Sequence, residues 1–515
     1  MQRKINFSSS ITALFLLANF LCQPFSTFSQ IKGLDLWLDQ EMPKVIDRHR
    51  AFVSLPNDAH FPEDMVKNAE WLKQEFEQRG LKVDILEAGP VPVVLAEKKV
   101  DAALPTVLFY FHYDGQPVAP SKWDQKHPFT PVLKMKNEEE QWEIIDWSKI
   151  EEDFDPDWRI FGRAAADDKG PISMMLTAFD FINTHDLPLA FNVKILFDGE
   201  EEKGSDGLLS TLDQYKTKYA ADKLIIMDGP AHPSNRPTLT FGCRGIASGT
   251  LTVYGPKVPQ HSGHFGNYAP NPVFRMSHLL ASMKSEDGKV IIKGFYDNIK
   301  LDKGTRAILA AVPDNAGMIN NRIGIAKPES VGQNYQESLQ YPSLNVRGMS
   351  SAWIGRQTRT IVPDKAVAQI GIRLVPETDG DHLLDLLREH IKDQGYYLID
   401  REPTEEERLE HEKIATFVGS KWVNAFRTEI ESSTGQWLTS ALEGTFNSPP
   451  VNIRIMGGTV PVTPLIEALG VPAVIVPMVN MDNNQHSPNE NLRLGNLRTG
   501  IKTCLAILTT AIPNP

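Results

Sequence analysis

The stretch PTVLFYFHYDG, residues 105–115, decides the fold, because it contains a continuous apolar run that is followed directly by the polar residues His112 and Asp114. Such a run, bounded by Pro and Gly, is typical of a strand buried on both faces of a parallel sheet. Ligands of an open α/β sheet bind outside the carboxyl ends of its strands. The sequence therefore predicts a functional site at that edge. Three later runs also end near acidic or imidazole side chains: NVKILFDGEEEK (192–203), KLIIMD (223–228) and PAVIVPMV (472–479).

The 515 residues exceed what one compact core accommodates, since single cores stop growing near ~250–300 residues. Helices and strands alternate from residue 30 to 242, which predicts one part of a mostly parallel α/β domain. Residues 243–412 predict an inserted two-layer α+β domain, and residues 413–515 complete the first domain. The acidic stretch 134–158 predicts a surface insertion with its own short structure, with a role at the mouth of the site as the alternative.

The first 29 residues read as a secretory signal peptide. They combine Arg3 and Lys4 with the apolar run ITALFLLANFL and small residues before residue 30. The expectation is an exported protein, periplasmic or secreted, with a lipid anchor through Cys22 as the alternative. No later stretch is long and apolar enough to span a membrane. The net charge of -12 argues against nucleic-acid binding, which normally requires a basic face.

Side chains that commonly bind metals lie just after the apolar runs and, in one case, in the turn before a predicted helix. Nitrogen and oxygen ligands without thiolate suit zinc, manganese or cobalt. If one carboxylate, Asp167, is shared, the set divides into two triads and fits two cations ~3.5–4 Å apart. A dinuclear metal site is therefore the simplest chemistry for this set, although each residue alone is weak evidence. The five residues are His112, Asp167, Glu202, Asp228 and His486.

Neighbouring acidic residues have separate predicted roles. Asp114 can accept the second N–H of His112 and so orient that histidine as a ligand. Glu201 and Glu202 point to opposite sides of an extended backbone, so that one can bind metal while the other stays free as a base. Asp168 is interpreted as a helix-capping residue. A solvated acidic turn is the alternative for the glutamates.

Nine short segments resemble those of the dinuclear metallopeptidases that include carnosinase, cytosolic nonspecific dipeptidase, carboxypeptidase G and aminoacylase. The resemblance covers nearly all of the chain after the leader, in the same order, and is greatest for the carnosinase-like branch. The segments are FHYDGQP, GRAAADDKGP, EEKGSDGL, IIMDGP, PQHSGHFG, TIVP, RLVP, MGGTVP and QHSPNE.

The resemblance implies a role for each matching residue. His112 and Asp228 would hold one metal, Glu202 and His486 the other, and Asp167 would bridge them. Glu201 would be the general base and Asp114 the residue behind the first histidine. The inserted domain would be a lid and dimerisation domain. In the homodimer, His261 of one subunit would reach the active site of the other and stabilise the oxyanion there. Residues that would bind the substrate backbone and its free carboxylate are Thr360, Arg373 and Thr459.

The implied activity is hydrolysis of a peptide bond in a small peptide with a free C-terminal carboxylate, with two divalent metals, zinc first. The alternative is removal of an acyl group from an amino acid at the same site. A non-catalytic binding protein of the same fold fits less well, because no ligand is missing. Tyr113, Gly115, Ala164 to Ala166 and Thr459 depart from the usual residues of the family, which leaves the substrate range open.

Overall fold

The computed structural model describes residues 33–513. The predicted signal peptide and the alternative lipid anchor at Cys22 lie outside these residues. The helices are, in chain order, α1 (Leu34–Val53), α2 (Pro62–Gln78), α3 (Lys149–Glu152), α4 (Lys169–Thr184), α5 (Asp206–Ser210), α6 (Leu212–Tyr219), α7 (Ser262–Phe265), α8 (Pro272–Ala281), α9 (Lys303–Ala311), α10 (Ala316–Ile323), α11 (Tyr335–Ser338), α12 (Gly380–Asp393), α13 (Glu405–Glu410), α14 (Ser433–Phe446), α15 (Thr463–Leu469) and α16 (Leu494–Thr509).

The strands are, in chain order, β1 (Lys82–Leu86), β2 (Val93–Lys98), β3 (Thr106–His112), β4 (Val132–Lys136), β5 (Trp142–Ile145), β6 (Arg159–Phe161), β7 (Asn192–Asp198), β8 (Lys223–Ile226), β9 (Thr238–Thr240), β10 (Gly242–Cys243), β11 (Gly245–Tyr254), β12 (Gln260–His261), β13 (Ser343–Ser350), β14 (Ile361–Val362), β15 (Lys365–Leu374), β16 (Tyr397–Ile399), β17 (Ile414–Val423), β18 (Phe426–Arg427), β19 (Val451–Ile453), β20 (Ala473–Ile475) and β21 (Asn491–Arg493).

An eight-stranded sheet forms the centre of the molecule, in the order β1-β2-β7-β3-β8-β20-β9-β19. Strands β7, β3, β8 and β20 run parallel to their neighbours in that group. Along β3, Val107, Phe109 and Phe111 face a core that includes α1, α2, α4, α14 and α16. Leu108 and Tyr110 face the opposite core, with α5, α6 and α15. Both faces of the strand are buried, as its apolar run predicts, and the predicted α/β fold is confirmed.

A five-stranded sheet, in the order β13-β15-β11-β17-β16, forms the second core together with α8 and α12. Strand β17 pairs with β11 along most of its length. The chain therefore stays in this sheet until residue 423, past the boundary that we predict at residue 412. The acidic stretch before that boundary forms α13 and connects two strands of the same sheet, which is why it does not mark the return to the first sheet.

The stretch 134–158 contributes β5, α3 and most of β4, as the prediction of its own short structure requires. These strands belong to a four-stranded sheet, in the order β21-β6-β4-β5. Strand β6 precedes the turn that carries Asp167, and β21 follows the loop that carries His486. The stretch is therefore joined to the segments on which two of the predicted ligands lie.

Candidate active site

The five predicted metal ligands meet at the carboxyl edge of the central sheet. His112 is the last residue of β3, Asp228 follows β8, and Glu202 follows β7. Asp167 lies two residues before α4, and His486 lies in the loop between β20 and β21. Because β7, β3 and β8 are adjacent, residues that are far apart in sequence become neighbours.

Asp167 lies between the two histidines. His112 Nε2 is 2.9 Å from Asp167 Oδ1, and His486 Nε2 is 3.1 Å from Asp167 Oδ2. His112 Nε2 is also 4.0 Å from Asp228 Oδ1, and His486 Nε2 is 3.3 Å from Glu202 Oε2. Each oxygen of Asp167 thus faces one of two ligand groups, which is the arrangement expected of a bridging carboxylate.

Asp168 belongs to this edge as well, and its interpretation as a helix cap is wrong. It occupies the N-cap position of α4, but its side chain accepts no capping hydrogen bond. The carboxylate is turned toward the backbone N–H of His112, at 3.3 Å, and is fully buried. Its ligand atom lies within 4.8 Å of those of His112 and Asp228. A second group of possible ligands has its ligand atoms within the same distance of one another, and consists of Asp167, Glu202 and His486.

Asp114 orients both the histidine and the acidic turn. Its Oδ1 is 3.2 Å from His112 Nδ1. The same carboxylate accepts the backbone N–H groups of Glu201 and Glu202, at 3.1 and 3.0 Å. A single buried side chain therefore sets the position of His112 relative to both glutamates.

The positive charge near this edge is too small to balance its acidic side chains. Burial, reinforced by the charge of Asp167, raises the pKa of Glu202 to about 7 and that of Asp228 to about 6. Burial also raises the pKa of Glu201 well above its usual range. Burial lowers the pKa of His112, but hydrogen bonds to Asp114 and Asp167 outweigh it and hold that pKa above its ordinary value. Such a cluster favours bound cations.

The donor set fits two divalent cations. It offers imidazole nitrogens and carboxylate oxygens, which suit zinc, manganese or cobalt. Among residues 33–513, the buried Oδ1 of Asp168 has no hydrogen-bond partner. An orphaned carboxylate oxygen in a buried acidic cluster is costly unless a cation or a proton compensates it.

Two residues that the sequence analysis did not assign hold this edge in place. Glu490 is fully buried and accepts the backbone N–H groups of Ala164, Ala166 and Asp167, each at 3.0 Å. The guanidinium of Arg163 pairs with the same carboxylate at 2.7 Å. Glu490 ends the QHSPNE segment, but nothing in its local sequence indicates that it reaches a turn more than 300 residues earlier.

A cavity of about 670 Å³ opens from this edge toward the second sheet. Asp167, Glu201, Asp228 and His486 line one part of it, and Arg373 and Thr459 line another. No residue of 134–158 is among the described residues that line the cavity, so the alternative role of that stretch at the mouth gains no support.

His232 and Asp314 form a polar stretch of the cavity wall that the sequence analysis left unassigned. His232 Nδ1 accepts the backbone N–H of Ser234 at 3.1 Å, so its proton lies on Nε2. That nitrogen is 3.2 Å from Asp314 Oδ1. The contact joins the loop after Asp228 to the segment before α10.

Two predicted site residues lie elsewhere. His261 and Thr360 are exposed and adjacent, on or beside the short pair β12 and β14, where the N–H of Ser262 donates to the carbonyl of Thr360 at 3.0 Å. Neither residue lines the cavity of its own chain. The fold therefore brings together Arg373 and Thr459 with the acidic edge, and leaves the other two outside.

The fold and the acid–imidazole edge define a metal-dependent hydrolase. The chain belongs to the peptidase family M20/M25/M40, whose profile matches residues 108–510. This match confirms the predicted family, and the chain is a metallopeptidase. The dipeptidases among its relatives confirm the carnosinase-like branch.

Three relatives illustrate the match. The Cys-Gly metallodipeptidase of Schizosaccharomyces pombe is 26% identical over 488 residues, covering 90% of this chain and 95% of the relative. The Beta-Ala-His dipeptidase of Mus musculus is 25% identical over 422 residues, covering 80% of this chain and 78% of the relative. The structure of an M20 family metallo-carboxypeptidase from Sulfolobus solfataricus superposes with a TM-score of 0.70 and 26% identity, covering 90% of this chain and 98% of the other.

The comparisons contradict the prediction of an exported protein, which is wrong. The yeast relatives that match 90% of this chain are cytosolic dipeptidases. Among the helices of residues 33–513, none combines the length and the apolar character needed to cross a membrane.

Proposed function

We propose that this metallopeptidase is a dipeptidase that hydrolyses the peptide bond of small peptides with a free C-terminal carboxylate. The observation that carries the proposal is the pairing of an acidic metal edge and an arginine, Arg373, in one cavity. The names of the relatives, Cys-Gly and Beta-Ala-His dipeptidases, agree with a substrate of this size.

The proposed ligands of one cation are His112, Asp168 and Asp228, and those of the other are Glu202 and His486, with Asp167 facing both groups. Zinc is the first candidate, and manganese or cobalt fit the same donors. Bound cations would polarise the scissile carbonyl and lower the pKa of water.

Glu201 is the proposed general base. Its carboxylate lines the cavity, and its backbone is held by Asp114. Burial keeps the pKa of this carboxyl high, so that it binds a proton more readily than an ordinary glutamate does. Glu201 takes a proton from the water that attacks the carbonyl carbon, and the same proton passes to the leaving amine when the C–N bond breaks.

Arg373 is the proposed partner of the substrate carboxylate. A guanidinium can pair with a carboxylate through two parallel hydrogen bonds, and this pairing favours the end of a peptide over an internal bond. An exopeptidase is therefore the better match to the cavity than an endopeptidase.

We further propose a homodimer in which a second copy supplies His261 and Thr360. Both residues are exposed and lie outside the cavity of their own chain. The edge strand β13 of the second sheet leaves Val346 and Met349 exposed, and such an edge is available for pairing with another chain. Residues 243–423 would then act as a lid and dimerisation domain between the two parts of the catalytic domain.

A mixed dimer tests catalysis across subunits. Subunits carrying Glu201→Ala and subunits carrying His261→Ala are each expected to form inactive homodimers, whereas the mixed dimer has one intact site. Recovery of part of the wild-type rate on mixing supports the proposal, and no recovery in a dimer of verified composition contradicts it.

The function itself is tested with the purified protein after metal analysis. A panel of dipeptides, their C-terminal amides and N-acyl amino acids is assayed with each candidate metal restored. Preferred cleavage of free dipeptides is the expected result. Preferred cleavage of N-acyl amino acids would replace the proposal with the deacylase alternative, and no hydrolysis in any metal form would contradict both.

A further inference from the structure

The polar stretch of His232 and Asp314 joins the catalytic domain to the inserted domain at the cavity wall. His232 follows β8 of the central sheet, and Asp314 lies between α9 and α10 of the inserted domain. Gln336, on α11, lines the same cavity. Its Nε2 donates to Asp314 Oδ2 at 2.8 Å, while His232 Nε2 donates to Asp314 Oδ1 at 3.2 Å. Each oxygen of Asp314 thus has one hydrogen-bond partner, and the two partners come from different domains.

The carboxylate of Asp314 pairs with no lysine or arginine among residues 33–513. The backbone N–H of Ser234 donates to His232 Nδ1, so the imidazole is neutral, and the amide of Gln336 carries no charge. Arg322 lines the same cavity but forms no ion pair with Asp314. The Asp314 side chain is only 18% exposed. Burial of a charge is costly unless the charge is paired, so a cation that enters the cavity would stabilise this carboxylate.

Gln336 holds the carboxylate at the expense of its own acceptor. Its side chain is 3% exposed, and its Oε1 has no hydrogen-bond partner in the described part of the chain. The backbone around it is anchored, because Gln340 Nε2 donates to the carbonyl of Gln336 at 3.1 Å and Gln340 Oε1 accepts from Arg454 Nη1 at 2.6 Å. Buried acceptors without a partner are rare in native proteins and call for an explanation. Here the amide fixes the position of Asp314.

The wall beside Asp314 is apolar and aromatic. Ile319, on α10, and Leu339, which follows α11, line the cavity together with Tyr335. A lysine or arginine side chain has the complementary form, since it carries a charged head on a long apolar stem. The face of a tyrosine ring also attracts a cation. The wall therefore matches a basic side chain better than an α-amino group, which has no stem to cover the apolar surface.

We propose that Asp314 binds the basic side chain of a lysine or arginine residue of the substrate, and that His232 and Gln336 are positioning residues that hold its carboxylate. The inference rests on the proposed function and narrows the preferred substrates to dipeptides that carry a basic side chain. It concerns a group of the substrate that neither the metal edge nor Arg373 binds.

The first test uses the wild-type protein with its metal restored. Dipeptides with lysine at the first or the second position are compared with the same peptides carrying norleucine, which has the same four-carbon stem and no charge. We expect kcat/KM of the lysine peptide to be ~10-fold higher at one of the two positions, which corresponds to ~1.4 kcal/mol. That position identifies the residue whose side chain faces Asp314. No preference for lysine at either position would overturn the inference.

The second test is Asp314→Asn, which keeps the shape of the side chain and removes its charge. The lysine preference should fall ~10-fold, while hydrolysis of the norleucine peptides should change less than ~2-fold. Asp302→Asn is the matched control, because Asp302 caps α9 of the same domain and does not line the cavity. Asparagine caps a helix as well as aspartate does, so the lysine preference should stay unaltered.

An equal loss with lysine and norleucine peptides in Asp314→Asn would also overturn the inference. Such a result would mean that this carboxylate binds the α-amino group of every dipeptide or serves only the fold.

A double-mutant cycle tests the positioning role. Gln336→Met removes the hydrogen bond to Asp314 Oδ2, and should reduce the lysine preference ~3-fold in the wild-type background. In the Asp314→Asn background it should have no effect, because no charge is then left to position. A reduction of the same size in both backgrounds would contradict the role of Gln336 as a positioning residue.

These measurements separate the inference from the function on which it rests. If the wild-type protein cleaves no dipeptide, the proposed function fails. If it cleaves norleucine peptides but shows no preference for lysine, the inference fails alone. Should Asp314→Asn not fold, as judged by circular dichroism, the wild-type comparison and Gln336→Met decide the question.

Discussion

The two ends of the cavity carry opposite charges, and each lacks its counter-charge. At the metal edge, Asp167, Asp168, Glu201, Glu202 and Asp228 outnumber the two histidines. At the other end, Arg373 on β15 and Arg244 in the turn before β11 form no ion pair with a carboxylate among the described residues. Both arrangements are unfavourable in isolation, so a ligand of the opposite charge would stabilise each end. In the proposed function, cations would complete the first end, and the carboxylate of a peptide would complete the second.

The two ends also differ in how the chain builds them. The metal edge comes largely from the ends of adjacent strands and from the turn before α4, so that one sheet sets most of its geometry. The arginine end combines a turn before β11, a residue on β15 and a loop after β19. Loss of the first end should therefore abolish chemistry, whereas loss of the second should weaken substrate binding.

Removal of metal should have the largest effect. Dialysis against a chelator is expected to reduce dipeptide hydrolysis to the background rate, because the acidic edge depends on cations for its chemistry. Activity should return with one divalent cation at two equivalents per chain. Full activity in protein shown by elemental analysis to be metal-free would contradict the assignment of this edge.

Glu201→Gln should come next. We expect kcat to fall by ~10²–10⁴-fold, the usual contribution of a general base, with the metal content retained. Glu200→Gln is the matched control, since Glu200 accepts hydrogen bonds from Lys203 and Gly207 and does not line the cavity. Similar losses in the two variants would remove the case for Glu201 as the base.

Arg373→Met should affect binding rather than chemistry. Loss of a charged hydrogen-bonding partner is expected to cost ~1.5–3 kcal/mol, or roughly 10- to 150-fold in KM, with a much smaller change in kcat. Steady-state kinetics on a dipeptide measure both quantities. A fall in kcat alone would place Arg373 at the reacting bond instead of at the carboxylate.

The smallest effect concerns stability in the absence of metal. Glu202 and Asp228 have pKa values of about 7 and about 6 in the fold, higher than in an unfolded chain. The folded state then holds more protons between pH ~4 and ~7, so its stability should fall as pH rises through this window. Each group contributes at most ~1.4 kcal/mol per pH unit. Thermal unfolding of the metal-free protein measures the slope, and added metal should remove it.

Several features of the site could be predicted from sequence because they depend on local pattern. The apolar runs that end at His112 and Asp228 predict buried strands, and parallel strands present their ends at one edge. Asp168 was missed because a carboxylate before a helix usually caps it, and only the packing of α4 against β3 turns it inward. The boundary predicted at residue 412 lies before β17, the last strand of the second sheet, because an acidic stretch resembles a linker in sequence.

The sequence by itself indicated the α/β fold through the pattern of its apolar runs and the five metal-ligand candidates through residue types at strand ends and before a helix. The family followed from the resemblance of nine short segments. Only the tertiary structure decided which side chains share a cavity. Glu490 reaches the turn of Asp167, and Thr459 donates to the backbone carbonyl of Arg244 before β11, through hydrogen bonds that span more than 200 residues. Such contacts depend on sheet order and loop packing, and no local pattern encodes them. The same holds for His261 and Thr360, which the fold keeps outside the cavity of their own chain.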